Sequence, residues 1–256
     1  MKNLTVIIPV YNINTESHET MFKNAVNSVD DSKIIVIGPE ADITKVKNID
    51  GLNNKITTVI NPTEDTTYST QVNMAVKQVK TEYFSILEFD DVYTSIWFSN
   101  LKTYMDKIGD ETFAFLPLTE VMDLTNNTII GYANEAVWAS SFSEEMGYFD
   151  LQCLEDYLNF SVSGGVFKTD EFINIGMLKT SMKLSFWYEY LLRALYRGKK
   201  IFVIPKVGYI HTIGRDDCLT SYYFNNMDER ESGWWIDIAK KEYFFPHDRN
   251  KTYNQE

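Results

Sequence analysis

Cysteine is scarce in this 256-residue chain, which carries only Cys153 and Cys218. Two thiols cannot build a disulfide framework or a cysteine-rich zinc site. Long apolar runs are missing too: no stretch approaches the roughly 18 residues needed to cross a bilayer. Met1-Lys2-Asn3 leads straight into an apolar segment, without the charged and apolar layout of a secretory signal. These absences predict a reducing, cytoplasmic setting. Cations are outnumbered, with 24 Lys and Arg against 36 Asp and Glu, a net charge of −12. That argues against broad, sequence-independent binding to DNA, RNA or anionic membrane, which runs on Lys and Arg. Arg193, Arg197, Lys199 and Lys200 do cluster, in a pattern that suits the negative end of a helix.

The chain is rich in core-forming side chains, at 44% hydrophobic with 16 Phe, 16 Tyr and 5 Trp. Leu4 to Tyr11 reads as a strand, and Met21, Phe22, Ala25, Val26 and Val29 recur at helical spacing behind Ser17 as an N-cap. Ile34 to Ile37 and Lys55 to Ile60 are strands stopped by Gly38-Pro39 and Asn61-Pro62. Tyr68, Val72, Ala75, Val76 and Val79 form a helical stripe ahead of a strand over Tyr83 to Leu87. This alternation predicts an α/β fold with a largely parallel sheet. Further on, Trp97 to Met105 reads as helix and Phe113 to Leu118 as a short strand. Val121 to Tyr132 reads as a hairpin turning at Asn126-Asn127. Phe186 to Arg197 is a helix closed by Gly198, and two strands flank Pro205. Trp234, Trp235 and Ile238 share a last helix.

Glu88-Phe89-Asp90-Asp91 follows directly on the fourth strand. Ligands of open α/β sheets bind at the carboxyl ends of parallel strands. Carboxylates crowded there repel one another unless a cation neutralises them. Mn²⁺ or Mg²⁺ bridging a nucleoside diphosphate suits such a site, because hard cations take carboxylate and phosphate oxygens. The alternative is a solvated acidic loop capping the next helix near Ser95.

Three blocks resemble the family 2 glycosyltransferases. They are Thr5-Val6-Ile7-Ile8-Pro9-Val10-Tyr11-Asn12, the stretch from Gln71 to Asp91, and the stretch from Arg193 to Thr220 with His211-Thr212-Ile213-Gly214-Arg215. The resemblance implies the GT-A fold, Rossmann-like, a mixed and mostly parallel sheet flanked by helices with an irregular acceptor-side half. It implies a catalytic domain over 1–220, split into a nucleotide-sugar half (1–118) and an acceptor-side half (119–220), then an aromatic extension over 221–256. It also implies inverting transfer from a nucleotide-diphosphate sugar, a UDP-sugar in the commonest case. The acceptor stays open among glycan, lipid-linked sugar, protein and modified nucleobase.

Under that resemblance Asp90 and His211 are metal ligands, and Glu88 meets the metal or the ribose. Asp91 holds the metal's water or faces the acceptor. Pro9, Tyr11 and Asn12 line the base pocket, Asn73 falls on the family's asparagine, and Arg215 clamps the diphosphate, as a bidentate guanidinium can. Gly164-Gly165 gives the sugar a close backbone approach, or is a plain turn.

The sequence also departs from the family. Gly38-Pro39-Glu40 stands where a base-reading Asp is usual, so Glu40 substitutes. Phe186-Trp187 replaces an acidic pair that contains the family's base, so Glu189 inherits that role, with Glu155-Asp156 the second choice. Two other classes compete. A sugar-phosphate nucleotidyltransferase would want a glycine-rich N-terminal loop, and Ile8 to Asn12 has no glycine. A non-catalytic GT-A-like domain binding carbohydrate or a partner would tolerate Phe186-Trp187.

Overall fold

The structure is a computed structural model that describes residues 1–52, 54–218, 221 and 225–249. Three parallel strands come first in the chain: β1 (Leu4–Pro9), β2 (Lys33–Gly38) and β3 (Ile56–Ile60). Helix α1 (Glu16–Ser28) joins the first two, and helix α2 (Glu40–Lys47) joins the next two. Helix α3 (Tyr68–Val76) then leads to β4 (Tyr83–Ile86), which pairs parallel with β1 on its other side. The α/β alternation expected from the apolar periodicity is present. Two details differ. The side chain that caps α1 is Thr15, whose hydroxyl accepts from the His18 amide, rather than Ser17. Helix α2 was not legible, because its eight residues are mostly polar and bury only Asp42, Ile43 and Val46.

After β4 come β5 (Val92–Tyr93), α4 (Trp97–Ile108), β6 (Thr112–Asp123) and β7 (Thr128–Ala133). A 3-10 turn over Glu135–Trp138 and the short helix α5 (Leu151–Asp156) precede β8 (Val166–Lys168) and α6 (Thr169–Asn174). Helix α7 (Phe186–Tyr196), strand β9 (Lys200–Ile213) and helix α8 (Glu229–Glu242) complete the described elements. The nine-stranded sheet runs β3-β2-β1-β4-β8-β6-β9-β5, with β7 on β6. β8 is antiparallel to both β4 and β6, so the sheet is mixed at its middle.

The two strands expected around Pro205 are one long strand. β9 follows β6 in parallel from Thr112 to Asp123. Its register jumps where Pro117 faces Ile204 and Leu118 faces Val207, leaving Pro205 and Lys206 unpaired. Proline has no N–H for the ladder, so a bulge there lets pairing resume beyond it.

Alternate residues of the central strands face opposite ways, as the strand period demands. Ile7, Ile35, Ile37, Phe84 and Ile86 share one core with α3 and α7. Val6, Ile8, Ile34, Val36 and Tyr83 share the other with α1, α2 and α4, including Phe22, Val26, Ile43, Trp97 and Leu101. Burial on both faces is why these strands read as continuous apolar runs. Trp235 and Ala239 of α8 pack with Met182 in a third, small cluster. Tyr222, Tyr223 and Phe224 of the expected aromatic tail, and Thr220, lie outside the described residues.

This topology positions the acidic loop. Leu87 donates its amide to Ile7 O at 2.9 Å, so the chain leaves β4 beside the end of β1. It then turns back as β5, pairing Val92 with Ile210 and Tyr93 with Tyr209. The loop from Glu88 to Asp91 is thereby closed against the far end of β9, which carries His211.

Candidate active site

Asp91 is fully buried, and both of its oxygens are engaged. Oδ1 accepts from the Thr212 amide at 2.7 Å, and Oδ2 lies 2.9 Å from His211 Nδ1. Thr212 Oγ1 donates to Asp90 O at 2.8 Å, which fixes the loop from a second side. Burial works against a charged His211, but the bond to Asp91 and the charges of Asp91, Asp90 and Glu88 prevail and hold its pKa at about 9. His211 is therefore an imidazolium at neutral pH, on a side chain that is 39% exposed. Expected to hold the metal's water or face the acceptor, Asp91 is instead buried with both oxygens spent on the end of β9.

Glu88 sits half-buried at the start of the loop. Its amide donates to Tyr209 Oη at 3.1 Å, and its Oε1 accepts from Tyr68 Oη at 2.5 Å. Burial raises its pKa to about 8, helped by Asp91 and Asp90 and opposed by the Tyr68 bond. Asp90 pairs with Arg215 Nη2 at 3.2 Å. Burial and Asp91 push Asp90 up to about 6, against the pull of Arg215. Arg215 lies over the Phe89 ring, with 4.7 Å from guanidinium carbon to ring centroid, and its Nε is 3.7 Å from Asp217. Its buried Nη1 has no hydrogen-bond partner among the described residues. An arginine paired on one edge and unsatisfied on the other is suited to an incoming anion.

The donor set decides what kind of metal fits. Among the described residues, no group of three or more His, Cys, Asp or Glu is placed to hold an ion. Asp91 and the Tyr68-facing oxygen of Glu88 are committed, which leaves Asp90, the second oxygen of Glu88 and His211 Nε2. One or two protein ligands completed by phosphate oxygens and water is the usual arrangement for Mg²⁺ and its relatives at nucleotide sites. The residues fit a cation that arrives with a diphosphate, and they do not form a resident metal cage.

Several residues singled out from sequence lie elsewhere. Glu189 is fully buried and binds Arg193 through both oxygens, at 2.9 Å to Nε and 2.8 Å to Nη2. Lys179 Nζ is 3.1 Å from it and also donates to Glu242 O. Sealed in this ion cluster, Glu189 has no access to an acceptor, which corrects its assignment as base. Arg193, expected with Arg197, Lys199 and Lys200 at the negative end of a helix, does stand in the last turn of α7, but its side chain is buried and donates inward to Ile175 O and Met177 O. Glu155 and Asp156 end α5, away from the acidic loop's hydrogen bonds. Asn73 spends its amide on the Leu178 backbone, donating to O at 2.8 Å and accepting from N at 3.0 Å. It clamps α3 to the 177–179 loop, a structural task rather than a contact with a donor.

At the nucleotide side, Pro9 ends β1 in the core, Tyr11 is 58% exposed, and Asn12 adopts φ 60°. Glu40 is exposed in the first turn of α2. Gly164-Gly165, expected as a close backbone approach to the sugar or a plain turn, lies in a turn closed by Gly165 N to Val162 O at 2.9 Å, and a Cβ at Gly164 would lie 2.4 Å from Tyr209 Cδ2. Cys153 is buried, and burial raises its thiol to about 11, so it is inert.

Sequence reading missed Tyr68, Tyr209, Thr212 and Asp42. In the sequence Tyr68 is one member of the α3 helical stripe. The available signal was its hydroxyl, which a buried tyrosine usually pairs. Phe186 stacks on Tyr68 at 5.6 Å, so the apolar start of α7 abuts the acidic site.

Three carboxylates thus stand together at the carboxyl end of β4, flanked by Arg215 and His211. The solved structures this chain is similar to carry the same fold. A Staphylococcus aureus TarS 1–349 structure in complex with UDP superposes with a TM-score of 0.62 at 16% identity, covering 93% of this chain and 65% of that one. A TarS 1–349 complex with UDP-GlcNAc gives 0.62 at 17% identity, over 86% and 61%. A structure of S. aureus TarS gives 0.57 at 15% identity, over 95% of this chain and 43% of that one. This chain thus spans about two thirds or less of these neighbours. No family model and no curated protein matches its sequence.

Proposed function

We propose that this chain is a glycosyltransferase that takes a sugar from a nucleoside-diphosphate donor, a UDP-sugar, and inverts its anomeric centre on transfer to a hydroxyl acceptor. The observation that carries the reading is the loop from Glu88 to Asp91, locked to the end of β9 by Asp91, with Asp90 facing Arg215. The fold shared with structures solved with UDP and UDP-GlcNAc supports it.

In this reading Asp90 and His211 would hold Mn²⁺ or Mg²⁺ brought in with the donor. Such a cation supplies charge neutralisation for the departing diphosphate. Asp91 orients the His211 ring through Nδ1, the usual second partner of a ligating histidine. His211 would have to lose its Nε2 proton to solvent to serve as a ligand. Arg215 keeps Asp90 on Nη2 and turns its unsatisfied Nη1 edge toward diphosphate oxygens. Tyr68 and Tyr209 hold Glu88 toward the ribose. The turn at Tyr11 and Asn12 carries the base. No carboxylate of α7 is open to take the acceptor's proton.

That last point favours a second reading, a domain that binds a nucleotide sugar without transferring it, since α7 opens with Phe186-Trp187. A thermal-shift screen of nucleoside-diphosphate sugars with Mn²⁺ tests ligand binding for both, because a ligand that binds the native state raises the melting temperature. Release of UDP from the stabilising donor separates them: release supports the transferase, and its absence across an acceptor panel supports the binding domain. Failure of every nucleotide to stabilise the protein overturns both.

A further inference from the structure

We propose that Asp42 is a positioning residue for nucleotide binding, and that it acts by fixing the turn between β1 and α1 rather than by touching the base. The proposal rests on the donor reading above for the identity of its ligand.

The turn must satisfy its backbone donors and hold an unfavourable conformation. Val10 donates to Ile37 O at 2.8 Å. Asn12 and Ile13 donate to Asp42 Oδ2 and Oδ1, each at 3.0 Å. Asn14 donates to His18 Nδ1 at 3.2 Å. Asn12, between these anchors, is left-handed at φ 60°, a conformation that disfavours residues with a Cβ and persists where the surroundings impose it. Asp42 is only 6% exposed, with each oxygen turned to one of the two central amides. Lys45, one turn further along α2, lies 3.9 Å from Asp42 Oδ1 and also donates to the Asn14 side chain. The first turns of α2 therefore grip the loop from below, with Ile13 buried and Tyr11 standing exposed above it.

The carboxylate reaches the turn from α2 because the end of β2 has no room for one. A Cβ at Gly38 would stand 2.6 Å from Val10 Cγ2 and 2.7 Å from Val10 O. Glu40 is exposed, and its side chain makes no hydrogen bond among the described residues. The acidic function near β2 is thus structural support for the turn, and it belongs to Asp42.

Asp42→Asn tests this with little change in shape. A carboxamide accepts from one amide and turns its own N–H₂ against the other. The probes are UDP and UMP, titrated calorimetrically into wild type and variant. Amide hydrogen exchange at Asn12 and Ile13 is measured without ligand. Asp248→Asn, which loosens the remote Ser181 contact, is the control for general loss of stability. The expected result is at least a tenfold loss of affinity, equal for UDP and UMP because the turn serves the nucleoside, with faster exchange at both amides and no such loss in the control. Unchanged UDP affinity in Asp42→Asn overturns the proposal while leaving the donor reading intact. An equal loss in Asp248→Asn also overturns it, by reducing the effect to stability. Wild type that binds neither nucleotide overturns the donor reading and the ligand named here together.

Discussion

Asp91 and His211, 120 residues apart in sequence, meet through a 2.9 Å contact between Oδ2 and Nδ1. The pairing of β5 with β9 brings them together, and it makes the acidic loop and the end of β9 one unit. With its neighbours it also sets the charge of the site: Asp90 faces Arg215, Asp91 faces an imidazolium, and burial disfavours ionisation of Glu88.

A pH dependence follows from this pair. His211 is raised from an ordinary value of 6.5 to about 9. The folded state therefore holds a proton that the unfolded state loses above 6.5. The pair's contribution is fully present below pH 6.5 and is lost as pH rises through about 9. NMR titration of His211 is expected to give a midpoint near 9 in wild type and a lower one in Asp91→Asn. Stability of the variant should fall less between pH 6.5 and 9.

Glu189→Ala is expected to cost about 3–5 kcal/mol, the usual penalty for stripping one partner from a buried ion pair. Urea unfolding measures it. Affinity for UDP, corrected for the folded fraction, should be unchanged, and so should donor turnover. A catalytic base would instead cost about 10²–10⁴ in rate.

Gly164→Ala forces a Cβ into the Tyr209 ring at a residue with φ 74°. Overpacking of this kind costs about 1–3 kcal/mol. Because Tyr209 supports the Glu88 amide, UDP affinity should fall along with the melting temperature. A melting loss with full affinity would detach Tyr209 from the site.

Much of the architecture was legible because it rests on periodicity. The apolar runs of β1, β2 and β4 are buried on both faces, and the α3 stripe packs on one of them. The acidic loop was legible because four residues with three carboxylates stood at a strand end. What failed depended on side-chain partners that a motif position does not encode. Glu189 was read by its place in a motif, yet Lys179 and Arg193 neutralise and bury it. Asn73 was likewise read by place, and Leu178 occupies it. Asp42 left no signal, since a carboxylate in the first turn of a polar helix looks like a surface residue. The short strand β8, three residues long, was unreadable for want of any period.

The central claim is that Asp90 shares a cation with a diphosphate. Isothermal titration of UDP, with and without Mn²⁺, into wild type and Asp90→Ala measures that coupling. The account predicts that Mn²⁺ tightens UDP binding at least tenfold in wild type and has little effect in the variant. Equal UDP affinity with and without Mn²⁺ in wild type would contradict it.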